Sequence, residues 1–144
     1  MLKKISIYLL LSLLFSVAHA QKSIQVQTIQ HMYEQGRQQQ KGMDLIIKQS
    51  ELSLKKAFKL HDQSDDVCGY DQDIMWQSQD PNFNRPFQIT ALGQNRVKVH
   101  FAKTASDASQ DVTYTLKCTN RICQISDVHD QFGSLKENIT QECR

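Results

Sequence analysis

The chain has 144 residues, 40% of them hydrophobic and 22% charged, with 17 Lys and Arg against 15 Asp and Glu. That length fits one domain built on a single core. The near balance of charge leaves no basic footprint for nucleic acid, because phosphate neutralisation dominates that kind of binding.

The first twenty residues carry the marks of an export signal. Lys3 and Lys4 supply the positive start, Ile5 to Val17 an apolar run, and Ala18-His19-Ala20 a small-x-small cleavage site. Cleavage is expected after Ala20, leaving residues 21–144 as a single α+β domain in the periplasm or secreted. A spanning helix needs roughly 20 apolar residues and no second apolar run follows, so stable membrane insertion is not expected. Without Lys3 and Lys4 the mature chain carries 15 acidic residues and as many basic ones. The balance is uneven along the chain, since His61 to Asp80 holds Asp62, Asp65, Asp66, Asp71, Asp73 and Asp80 with no Lys or Arg.

Ser23 is expected to cap a helix whose apolar positions Val26, Ile29, Met32 and Tyr33 recur at three- and four-residue spacing, ending near Gln40 to Gly42. Asp44 is the expected cap of a second helix running to about Leu60, with Met43, Ile46, Ile47, Leu54, Ala57 and Phe58 on its apolar face. From Asp62 to Pro86 the periodicity fails, and the stretch reads as a long loop around the short apolar patch Ile74-Met75-Trp76. The period then becomes two. Phe87, Ile89 and Ala91 form one strand, Gly93-Gln94-Asn95 a turn, Val97, Val99 and Phe101 a second strand. Val112, Tyr114, Leu116 and Cys118 form a third, Ile122 to His129 a fourth, and Gly133 to Cys143 a short helix or extended tail. The expected architecture is α+β: two amphipathic helices on a curved antiparallel sheet of about four strands.

Four cysteines, at 68, 118, 123 and 143, suit an oxidising compartment, where thiols pair. If Asn120-Arg121 form the hairpin turn, Cys118 faces Cys123 and Leu116 faces Ile125, whereas a one-residue slip would separate the apolar sets. Directly opposed strand residues lie within disulfide reach. Zinc would need two further ligands at matching spacing, and a redox pair a Cys-x-x-Cys at a helix start; neither is present. Cys68 is then left for Cys143, one of three connectivities that four cysteines allow. By loop-closure entropy the short bridge contributes roughly 2 kcal/mol and the long one nearer to about 4 kcal/mol.

No Ser/His/Asp or Cys/His arrangement is present, so no catalytic residue, metal site or cofactor is expected. The acidic stretch lacks the Asp-x-Asp-x-Asp-Gly loop and closing Glu of a calcium hand. Asp65, Asp66, Asp71, Asp73 and Asp80 are therefore candidates for a face offered to a basic protein partner. Continuing the hairpin register sets Asp127 opposite Tyr114 on the apolar face, where a carboxylate needs hydrogen bonds or sits in a wet pocket as an acid/base group. The alternative is a bulge near Ser126 that turns Asp127 outward.

Two helices, a loop and a meander of strands resemble the cystatin-like cone fold of the nuclear-transport-factor-two superfamily. Tyr70-Asp71-Gln72-Asp73-Ile74-Met75-Trp76-Gln77-Ser78-Gln79-Asp80 and Ile122-Cys123-Gln124-Ile125-Ser126-Asp127-Val128 are similar to the motifs of an exported bacterial family of that fold. The resemblance implies a small periplasmic binding protein, including the case of an immunity protein that neutralises a secreted antibacterial toxin. It also admits a cone-fold enzyme or small-ligand carrier with a pocket near Tyr114 and Asp127.

Overall fold

A computed structural model describes residues 23–143; the expected export signal lies outside them. Helix α1 (Ile24–Gln39) starts where the Ser23 Oγ accepts from the Val26 amide at 3.4 Å. It ends at Gln40, whose left-handed backbone returns its amide to the Gly36 carbonyl. Val26, Ile29, Met32 and Tyr33 form its buried stripe.

The segment expected as one second helix is two, α2 (Met43–Gln49) and α3 (Leu52–Gln63). The break is long-range in origin. Ser50 makes a bridge to Ile125, and the Glu51 amide donates to the Ile125 carbonyl at 2.8 Å, so a distant strand takes the donor that would have continued the helix. Gln49 Nε2 fastens the same corner by donating to the Cys123 carbonyl at 2.8 Å. The expected cap also changes. Asp44 lies within the first turn, Gly42 occupies the cap position, and no side chain of the local sequence caps the helix.

Strands β1 (Gln88–Gly93), β2 (Arg96–Phe101), β3 (Gln110–Thr119), β4 (Ile122–Asp130) and β5 (Gly133–Ser134) form an open antiparallel sheet in sequence order. Gln94 and Asn95 both take positive φ in the β1–β2 turn, a geometry that Asn tolerates. Val97, Val99, Phe101, Val112, Tyr114, Leu116 and Ile125 point to one face and are buried there. Helix α4 (Leu135–Glu142) closes the chain and packs against α3 and β4.

The hairpin pairs Thr119 with Ile122, Cys118 with Cys123 and Leu116 with Ile125. Beyond them the ladder slips at Ser126, so that Thr115 faces Asp127 and Tyr114 faces Val128. The sulfur atoms of Cys118 and Cys123 lie 2.05 Å apart, and those of Cys68 and Cys143 lie 2.02 Å apart.

The long loop is not all surface. Ile74, Met75, Trp76 and Gln77 are buried, held in a small closed turn by reciprocal backbone bonds between Asp73 and Ser78. The Trp76 ring meets Tyr33 edge-on at 5.3 Å and Phe101 at 6.2 Å, and its Nε1 donates to the Lys41 carbonyl. Gly36 makes room for this insertion: a Cβ there would lie 2.8 Å from Met75 Cε and 3.2 Å from Trp76 Cζ2. One contiguous core thus joins α1, the inserted turn and the sheet.

Candidate functional site

The acidic segment begins where α3 ends. Ser64 closes that helix by returning its amide to the His61 carbonyl, and the next residues leave the helix axis toward α4. Two features fix their path. Cys68 is bonded to Cys143 at the end of α4. Gly69 takes a φ of +71° and lies so close to Ile139 that a Cβ would approach its Cγ1 to 2.6 Å, and its amide donates to Glu142 Oε2 at 2.8 Å. Tyr70 then turns back and stacks on His61, ring to ring at 4.1 Å and nearly parallel. Burial, followed by the fields of Asp62, Asp73 and Asp44, pushes the Tyr70 hydroxyl up to about 12, so it stays a neutral donor.

Between α3 and this returning strand of loop lies an open groove of about 860 Å³. Asp65, Asp66, Asp71 and Asp73 line it, with His61, Tyr70 and Val67, and no Lys or Arg does. Four of the five aspartates expected to meet a partner are thus brought together. Asp80 is not among them; it is exposed outside the groove, where its backbone is tied to the Ser78 hydroxyl. Val67, 82% exposed, adds an uncovered apolar side chain to the rim.

The four carboxylates differ in role. Asp65, Asp66 and Asp71 are exposed, and Asp71 accepts a long hydrogen bond from Gln79 Nε2 at 3.5 Å. Asp73 is structural as well. Its Oδ2 accepts from the Met43 amide and its Oδ1 from the Trp76 amide, each at 2.9 Å, so it caps α2 from across the chain and anchors the buried turn. Gly42 permits this, because a Cβ there would fall 1.7 Å from Asp73 Oδ2. Burial raises the Asp73 carboxyl above the ordinary aspartate range, against the opposing pull of those amide donors.

Tyr114 and Asp127 are not brought together. Tyr114 is fully buried, with its hydroxyl 2.8 Å from that of Tyr33, which in turn lies 2.7 Å from the Met75 carbonyl. Burial raises both phenols, so this is a packed neutral network, not a proton donor facing a cleft. Asp127 is turned by the Ser126 bulge onto the start of α4, where its Oδ1 accepts from the Lys136 amide at 3.1 Å as well as from the amide of its own neighbour Val128 at 2.8 Å. Its Oδ2 accepts from the Ser134 hydroxyl at 2.5 Å, so the carboxylate belongs to the cap of that helix.

Among the described residues no three His, Cys, Asp or Glu side chains converge to hold a metal ion, and no helix is long and apolar enough to cross a membrane. The groove offers grouped carboxylates, a stacked aromatic pair and the exposed aliphatic side chain of Val67. That combination suits reversible binding of a cationic surface. The roles of Tyr70 and Val67 have no counterpart in the periodicity, because a loop wall is assembled by a disulfide and a glycine and not by a repeating face. Searches with protein-family models, curated proteins and solved structures find no match to this chain.

Proposed function

We propose that this chain is a small periplasmic binding protein, an immunity protein that neutralises a secreted antibacterial toxin by receiving a basic segment of it in the acidic groove. The observation that carries this reading is the clustering of Asp65, Asp66, Asp71 and Asp73 about one open groove without a Lys or Arg in its lining. Carboxylates so grouped attract a cationic partner over about a Debye length, roughly 8–10 Å at ordinary salt, and speed its encounter. The exposed Val67 gives the partner an apolar anchor beside those charges. The resemblance to exported cone-fold proteins supports the compartment and the toxin, and two disulfides suit an oxidising location. A toxin gene is expected beside the gene for this protein.

The test is affinity capture from cell-envelope extracts with the disulfide-bonded protein and with Asp65→Asn, Asp66→Asn and Asp71→Asn combined. Asp73 is left in place because it holds α2. The native chain should retain a basic protein that elutes as salt rises, and the triple variant should lose it. Equal capture of that protein by both forms, or retention indifferent to salt, would move the interface elsewhere.

A further inference from the structure

The sheet has two unlike edges. One ends in β5, only two residues long, whose Ser134 is tied to Asp127 and to the first turn of α4. The other is β1, six residues long, paired to β2 alone. Its outward backbone groups meet no other strand among the described residues, a state that folded proteins usually guard with lysine, proline or a bulge. Here the protection is slight. Pro86 to Asn95 carries no charged residue, β1 contains no proline, and the one irregularity lies at its far end, between Ala91 and Gly93.

The ground beside this edge carries both signs of charge. A cleft of about 430 Å³ separates β1 from α1, floored by Val26, Phe87 and Ile89, with Glu34 and Arg37 on its walls. One acid and one base in the cleft mean that a two-fold related surface meets opposite charge as readily as like charge. Leu92, 40% exposed, is an apolar side chain on the same edge. With equal numbers of acidic and basic residues after cleavage at Ala20, net repulsion does not oppose self-association.

We propose that two copies of this chain pair antiparallel through β1, joining their sheets into one continuous sheet about a two-fold axis. The donors of one edge meet the acceptors of the other, as an isologous interface requires. This surface involves none of the aspartates of the acidic groove, so it stands or falls independently of toxin binding.

Analytical ultracentrifugation over a wide concentration range tests it, with Thr90→Lys and Thr90→Val as variants. The native protein should show a monomer–dimer equilibrium. Thr90→Lys brings like charges together across the pairing and should raise the dimer dissociation constant by roughly tenfold or more, while Thr90→Val should dimerise at least as well as the native chain. Hydrogen exchange at residues 88–93, slow in concentrated and fast in dilute native protein, gives a second readout that needs no variant. A native chain that stays monomeric throughout, a Thr90→Lys variant that dimerises undiminished, or β1 amides whose exchange ignores concentration would overturn the pairing.

Discussion

Asp73 shows how one carboxylate in an acidic run can hold a fold together. It satisfies the Met43 and Trp76 amides, so its removal strips the cap from α2 and loosens the turn that carries Trp76 into the core. Asp73→Ala should cost about 1–2 kcal/mol in urea denaturation. The pH dependence has a defined sign. Because burial raises this carboxyl in the folded state, the folded chain holds the proton more tightly than the unfolded one. The resulting stabilisation is complete below about pH 4, the unfolded value, and is lost as pH rises through the folded value. The penalty of Asp73→Ala should therefore be larger near pH 4 than at neutrality, and a penalty that grows with pH would contradict the burial assigned here. From sequence Asp73 is indistinguishable from Asp71 two places earlier. What separates them is Gly42, far upstream, where the missing Cβ leaves room for the Asp73 carboxylate.

At the level of elements, local pattern and distant contact can be told apart. Helix α1 and the β3–β4 hairpin are readable from spacing, because an amphipathic stripe and a two-residue alternation each place their apolar side chains without outside help. The break at Ser50 is not readable in that way. Its apolar spacing continues across the break, and the helix stops because the Ile125 carbonyl on β4 takes the Glu51 amide. The Ser126 bulge separates Tyr114 from Asp127 for a comparable reason: the carboxylate accepts from the Lys136 amide in the first turn of α4 and from the Ser134 hydroxyl before it. Gly36 gives a test at this scale. In a free helix Gly→Ala is favourable by about 1 kcal/mol, yet here the added methyl would press on the Lys41 carbonyl and Met75 at 2.8 Å. Overpacking of this kind costs typically about 1–3 kcal/mol. Gly36→Ala should lower the thermal midpoint and shift the Trp76 fluorescence, and a raised midpoint would mean that the turn does not press on α1.

Across the whole molecule, one covalent link, Cys68 to Cys143, ties the otherwise irregular segment of the groove to the end of α4. The Cys68–Cys143 bridge spans 75 residues and the Cys118–Cys123 bridge 5, so loop-closure entropy assigns about 4 and about 2 kcal/mol to them respectively. Replacing Cys68 and Cys143 with Ser should therefore destabilise the chain more than replacing Cys118 and Cys123, and should also weaken partner capture, since Cys68 directs the wall that carries Val67 and Asp71. The reverse order of stability would mean that strain, not chain entropy, governs the bridges. Both sulfur links suit an oxidising compartment, such as the periplasm or the cell exterior. The most direct measurement is the intact mass of the protein extracted from cells under non-reducing, denaturing conditions in excess alkylating reagent. The account predicts a chain beginning at Gln21, lighter by four hydrogens than its reduced form and carrying no alkyl group. A chain that retains Met1, or one alkylated at all four cysteines, would contradict it.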